Sequence, residues 1–196
     1  MNLLFIWIVA AVAVVGFAVV ARVWILNRLR WRGTRIVECP ENHATAAVEV
    51  DAARVAAGAV RGAPHLQLRT CSRWPEKAGC AQDCLREIEM APAECLARTM
   101  IERWYTGRQC VMCAKPFDKI DWTLHEPGLL RPDGHTVAGF RDVPLDTLPV
   151  ILETHSPVCW DCLIVESVLQ KHPDRVTVRP PHRSPGVPGA LPPASA

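Results

Sequence analysis

The strongest pattern along the chain is a long apolar run close to its N-terminus. Residues 3–20, "LLFIWIVAAVAVVGFAVV", carry no charge, and "ARVWIL" continues the run to Leu26. A helix rises about 1.5 Å per residue, so about 20 apolar residues cross the roughly 30 Å hydrocarbon core of a bilayer. The pattern therefore predicts a membrane-spanning anchor over residues 1–27, with Arg22 near one interface.

A cleaved secretory signal is the competing interpretation of this run. Such a signal begins with a basic stretch before a shorter apolar region, whereas Met1 and Asn2 precede the run here. Length and flanks favour a retained anchor. Four arginines follow the run and none precedes it: Arg28, Arg30, Arg32 and Arg35. By the positive-inside rule we expect a single-pass protein with its N-terminus outside and its C-terminal domain in the cytoplasm. The alternative is that these arginines only end the helix or contact lipid headgroups.

The periodicity beyond the anchor predicts a small α+β domain. Alternation around Val48 indicates a strand, and Asp51 can cap a helix over "AARVAAGAVRG". "HLQLRTC" alternates as a second strand, and the following segment passes from loop to helix near Cys80. Pro92 suits the first turn of another helix, which Gly107 would end.

From Arg108 onward, turn signals lie between short apolar runs, and this change in pattern predicts a separate module. "PDG" between short apolar runs indicates a hairpin, "LDTLPVILETH" a short helix or turn, and "CWDCLIVESVLQKH" a helix that Pro173 ends. The proline-rich end of the chain is typical of disorder. The predicted segments are an anchor (1–27), a cysteine-rich α/β segment with a helical hairpin (28–107), a metal module (108–178) and a disordered tail (179–196).

Charge and composition exclude some functions. The formal net charge is +2, and much of the positive excess follows the anchor, so no broad basic face for nucleic acid is expected. Paired carboxylates, a serine–histidine arrangement and a phosphate-binding glycine loop are not evident. We therefore expect a non-enzymatic protein that contacts the lipid bilayer and another membrane or membrane-associated protein.

Cysteine is the residue type that carries candidate chemistry. Nine occur, which cannot pair completely within one chain, and disulfides are rare in a reducing cytoplasm. Metal binding is the leading explanation. If the domain were exported instead, the same residues would form up to four disulfides and leave one free thiol.

Two cysteine pairs have the spacing of a zinc site. Cys110 and Cys113 precede "AKP", which suits a tight knuckle, and Cys159 and Cys162 open the predicted last helix. Zinc prefers four such ligands in a tetrahedron, and a helix N-terminus favours thiolate. The order of knuckle, hairpin and helix over residues 108–171 resembles metal-binding domains of the treble-clef and zinc-ribbon type. That resemblance implies one structural Zn²⁺, with rubredoxin-like iron as a minor alternative.

Two histidines give weaker resemblances. With Cys159 and Cys162, His155 matches the histidine and cysteine spacing of zinc-binding anti-sigma factors, but in those proteins the motif usually precedes the membrane helix. "WTLHEPGLL" is faintly similar to HNH nucleases, yet their other motif residues are missing around His125. Both histidines are expected to be structural or on the surface.

A second group of cysteines has no standard spacing. Cys80 and Cys84 lie one helical turn apart, and the candidate ligands of a second site are Cys39, Cys71, Cys80 and Cys84. These could bind a second zinc or an iron–sulfur cluster. A cluster would make the chain a redox, electron-transfer or sensor protein at the membrane, which is the alternative function. Cys95 fits a buried free thiol, and whether it or His43 is a ligand stays open.

Overall fold

The structure is a computed structural model that describes residues 3–77 and 79–172. The chain divides into two compact units, with the boundary between Met100 and Ile101. Each unit combines helices with a three-stranded sheet, so the α+β class is confirmed. The predicted proline-rich tail lies outside the described residues, and the four segment boundaries stay predictions.

The N-terminal unit begins with the predicted apolar helix, α1 (Leu3–Trp31). Within the described residues, it is the one helix long and apolar enough to cross a membrane. Its apolar side chains from Leu3 to Val20 are exposed, as expected of a helix whose partner is lipid.

Arg35 ends α1 from inside the protein. Its guanidinium donates to the carbonyl oxygens of Arg30, Trp31 and Gly33 at 3.0, 2.9 and 3.2 Å, and the residue is 1% exposed. The last carbonyls of a helix lack partners within it, and arginine donors can satisfy them. Of the four flanking arginines, Arg35 is thus a helix cap that cannot contact lipid headgroups.

The sheet of this unit has the antiparallel order β1-β2-β3. Its strands are β1 (Thr34–Glu38), β2 (Thr45–Val50) and β3 (Leu68–Cys71). Between β2 and β3 runs α2 (Ala52–Val60), whose first turn is capped by the Asp51 carboxylate accepting from the Arg54 amide at 2.9 Å. This cap was predicted. The core lies on one face of the sheet, beneath α3 (Leu85–Met90).

This region differs from the prediction in one additional strand and in the starts of two helices. Strand β1 was not predicted, because the buried Arg35 interrupts the apolar alternation of "TRIVE". Helix α3 begins at Leu85 and not near Cys80. Helix α4 (Ala97–Tyr105) begins five residues after Pro92, because residues 92–95 form turns. Gly107 follows α4 with a φ of 75°, a conformation that favours glycine.

The C-terminal unit is built around a second small sheet of order β5-β4-β6. Strands β4 (Gly128–Leu130) and β5 (Val137–Gly139) form the predicted hairpin, and β6 (Ser156–Val158) pairs antiparallel with β4. Two short 3-10 turns and α5 (Leu148–Thr154) lead into β6. The chain then continues directly into α6 (Trp160–Lys171).

Gly128 sets the approach of α6 to the sheet. A Cβ at this position would lie 2.6 Å from Cδ1 of Leu163 in α6, closer than atoms can pack. Leu163 is itself buried beside Cys110 and Cys159, so it has little room to move.

We predict that Gly128→Ala destabilises the C-terminal unit by about 1–3 kcal/mol, because it overpacks this contact. In the full chain, protease cleavage within residues 101–172 should become about 5-fold to 160-fold faster. The control is Gly139→Ala in the paired strand, where a Cβ would meet only Asp142, at an ordinary 3.6 Å. Equal cleavage rates in the two variants would contradict this packing.

Candidate metal centre

A tight turn presents the first cysteine pair. The Cys110 amide donates to the Lys115 carbonyl at 2.9 Å, and the Ala114 amide donates back to the Cys110 carbonyl at 2.8 Å. Ala114 adopts a φ of 59°, which lets the chain reverse within the four residues after Cys110. The turn is attached to the sheet through the Val111 amide, which donates to the Pro157 carbonyl at 3.0 Å.

The second pair lies where β6 becomes α6. Cys159 is the N-cap residue of α6, and its carbonyl accepts from the Leu163 amide at 2.9 Å. Cys162 is in the first turn of the helix. Because β6 pairs with β4 and also carries Pro157, the sheet fixes the helix start opposite the turn.

The four sulfur atoms converge. The ligand atoms of Cys110, Cys113, Cys159 and Cys162 all lie within 4.8 Å of one another. The sulfurs of Cys113 and Cys159 are 3.7 Å apart. Four sulfurs bound tetrahedrally at about 2.3 Å would be separated by about 3.8 Å, so the observed spacing suits one ion. This group of four could hold a metal, as predicted.

Backbone amides favour the thiolate form of Cys110. Burial raises the pKa of this thiol, but hydrogen bonds from the backbone amides of Cys159, Cys113 and Met112 outweigh burial and lower it overall. The Cys159 amide donates to the Cys110 sulfur at 3.3 Å. Amides directed at a sulfur are a common feature around bound thiolates, since they share part of the negative charge.

The other sulfurs need a cation to ionise together. Burial raises the pKa of both Cys159 and Cys162, and for Cys162 the adjacent sulfurs of Cys159 and Cys113 raise it further. Like charges held this close oppose one another, and a bound dication reverses that effect. Beside the site the Lys115 ammonium lies 3.3 Å from the Asp161 carboxylate, so this exposed pair adds no net charge.

The centre is also part of a small apolar core. Cys110 and Cys159 are buried with Val137, Val158 and Leu163. These few side chains bury little apolar surface, so metal bonds would add a large share of the free energy that keeps this region folded.

The histidines singled out in the sequence lie apart from the four sulfurs. The His155 imidazole contacts the Thr154 hydroxyl at 2.9 Å, and burial followed by the charge of Arg131 lowers its pKa. The His125 ring is exposed, 3.8 Å from the Asp121 carboxylate and edge-on to Trp160. Neither belongs to the metal-binding group, which agrees with the structural or surface roles expected.

The cysteines predicted for a second metal site do not meet the same distance limit. Cys39, Cys71, Cys80 and Cys84 line one cavity in the N-terminal unit. Within residues 3–77 and 79–172, however, the group whose ligand atoms all lie within 4.8 Å is that of Cys110. His43 and Cys95 are not among the residues that line the cavity. The His43 ring is 2.6 Å from the Glu38 carboxylate, and the Cys95 thiol donates to the Ala91 carbonyl at 3.4 Å.

Comparison with other proteins gave no relative from which a function could be transferred. No protein-family model, curated protein or solved structure matches this chain significantly. The function therefore has to be inferred from the cysteine geometry and the apolar helix.

We predict that Cys113→Ser weakens metal binding by more than about tenfold, because a hydroxyl is a poor replacement for a thiolate at a soft, four-sulfur site. Cys113 is exposed, so the change leaves the apolar core intact. Competition with a chromophoric chelator, using full chain in detergent, measures the affinity. The control is Cys95→Ala, which removes a cysteine outside both groups, and equal affinities in the two variants would refute the assignment.

Proposed function

We propose that the protein is a membrane-anchored zinc protein whose C-terminal unit is held together by the metal and docks another membrane or membrane-associated protein. The observation that carries the proposal is the convergence of the four sulfurs of Cys110, Cys113, Cys159 and Cys162. The proposed role is to maintain the structure of this unit and to bind a protein partner, and no catalytic step is assigned.

Ligand chemistry supports zinc in a structural role. Four thiolates fill a tetrahedral zinc shell and leave no open position for water or substrate, unlike the three-ligand sites of zinc enzymes. The element order supports a treble-clef type of module: a cysteine turn, the β4–β5 hairpin, and α6 carrying the second pair. In this chain α5 and β6 are inserted between the hairpin and the helix.

The surroundings of α1 support membrane anchoring. The Arg28 guanidinium lies 5.2 Å from the Trp24 ring centroid, near the C-terminal end of the apolar run. Tryptophan and arginine are typical of the membrane interface, and their position after the span favours a cytoplasmic C-terminal domain. The nine free thiols fit a reducing compartment.

We propose that the partner surface lies on α6. Three tryptophans of the C-terminal unit are only partly exposed: Trp104, Trp122 and Trp160. Trp122 donates to the Glu102 carboxylate at 2.6 Å, for example. The exposed apolar side chains of α6 are Ile164, Val165 and Val168, which are 42%, 57% and 52% exposed. Apolar side chains grouped on one helix in this way mark a protein contact.

Orientation is tested by reporter fusions to the C-terminus of the full chain. We expect fluorescence from a green fluorescent protein fusion and no activity from an alkaline phosphatase fusion, because phosphatase needs disulfides that form only outside the cytoplasm. Active phosphatase would overturn the cytoplasmic placement and favour the exported, disulfide-bonded alternative.

Docking is tested by placing a photo-crosslinking residue at position 165 of the full chain in cells. We expect a discrete adduct with a membrane-fraction protein, lost when Cys113→Ser removes one metal ligand. A matched probe at Arg141, whose side chain is 81% exposed and outside α6, should not give this adduct. Identical adducts from both positions would contradict a docking surface on α6.

A further inference from the structure

Four separate segments of the N-terminal unit each bring one cysteine to the same cavity. Cys39 lies in the β1–β2 loop, where its amide donates to the Ala44 carbonyl at 2.9 Å. Cys71 is the last residue of β3, Cys80 lies in the loop that follows, and Cys84 immediately precedes α3. All four thiols are free and only partly exposed.

Strand pairing explains why the first two thiols share one side of the sheet. Cys71 pairs directly with Val48, whose side chain is in the core, and directly paired residues point to the same face. Val37 pairs with Ala46 on that face, and Cys39 follows Val37 by two residues. Both cysteines pack against the apolar core.

A loop and α3 bring the other two thiols to the same place. The Trp74 amide donates to the Cys71 carbonyl at 3.0 Å, which turns the chain back immediately after β3. The Cys80 amide donates to the Lys77 carbonyl at 3.2 Å. Cys84 and Leu85 then pack against the core beneath α3. The cavity is therefore lined by the four cysteines, by apolar side chains and by polar or charged ones, namely Glu41, Arg73, Lys77, Gln82 and Asp83.

The walls also contain hydrogen-bond donors without acceptors. The Nε of Arg73 and the Nε1 of Trp74 are buried, have no hydrogen-bond partner, and belong to residues that line the cavity. A buried N–H without an acceptor costs about 1–3 kcal/mol, so it calls for an explanation. Thiolates and bound sulfide are acceptors that such donors commonly serve around metal–sulfur sites.

We propose that Cys39, Cys71, Cys80 and Cys84 hold a second metal centre with all-thiolate ligation. This centre goes beyond the proposed function, because it lies in the N-terminal unit and does not depend on the Cys110 group. Its ligands come from a strand end, two loops and a helix start, and Arg73 and Trp74 line the same cavity.

Ligand chemistry and spacing define the class of metal. The cavity offers four cysteine sulfurs, and thiolates bind soft metals such as zinc and iron. One zinc ion needs sulfurs about 3.8 Å apart, whereas a set that is more open either closes around the ion or surrounds an iron–sulfur cluster. The shared chemistry is a soft metal bound by four thiolates.

Free buried thiols are the competing explanation. Cysteine packs well as a small apolar side chain, as Cys95 does in the core of the same unit. That role accounts for each cysteine separately, but it does not explain why four of them surround one cavity.

The test is to measure metal and acid-labile sulfide in the full chain, purified without oxygen in detergent. The wild-type chain is compared with Cys71→Ser/Cys84→Ser, with Cys113→Ser/Cys162→Ser, and with Cys95→Ala as the matched control. We expect about two metal centres per wild-type chain, because eight thiolates suffice for two four-sulfur sites. Each double variant should lose one centre and keep the other, and the control should keep both.

The zinc, iron and sulfide contents together identify the metal. A colourless chain with about two zinc ions places zinc at both sites, whereas brown protein with iron and acid-labile sulfide, lost only in Cys71→Ser/Cys84→Ser, places a cluster at the second. Unchanged metal content in that variant would overturn the second centre. Loss of metal only in Cys113→Ser/Cys162→Ser would leave the proposed function standing and refute this inference.

A second measurement covers the case in which the double variant does not fold. In the native wild-type chain, alkylation of each cysteine by N-ethylmaleimide is followed by mass spectrometry before and after metal removal. The thiols of Cys39, Cys71, Cys80 and Cys84 should be protected together and become reactive together. Alkylation of these four that is the same before and after metal removal would refute the centre.

Discussion

The C-terminal unit depends on four sulfur atoms that must approach one another closely. Burial raises the pKa of Cys159 and Cys162, so a bound cation would be needed for all four sulfurs to ionise together. Three features of the surrounding fold hold the four sulfurs close together. Pairing of β6 with β4 places the start of α6, the turn after Cys110 is attached to the same strand, and Gly128 lets the helix approach the sheet.

The N-terminal unit also brings four cysteines together, but it does so with different structural elements. Its thiols come from a strand end and its neighbouring loops, so the sheet register determines which of them face the core. Arg35 links this unit to the anchor, because it closes the end of α1 from a buried position in β1. Each sheet has only three strands, so metal bonds would add stability that such small cores lack.

Much of this could be predicted from the sequence where the signal is local. The apolar run of α1, the Asp51 cap, the β4–β5 hairpin and the two evenly spaced cysteine pairs depend on neighbouring residues alone. Strand β6 was not predicted because it has three residues, one of them proline, and exists through pairing with β4. The exposed apolar face of α6 also depends on which side the sheet covers, which spacing cannot give.

The most direct test of the central claim is the X-ray absorption fine structure of bound zinc in the full chain carrying Cys71→Ser and Cys84→Ser. In that chain only the Cys110 group contributes a complete four-sulfur site. We predict that the zinc ion has a single shell of four sulfur atoms at about 2.3 Å. A shell containing nitrogen or oxygen ligands, or a chain that binds no zinc, would contradict it.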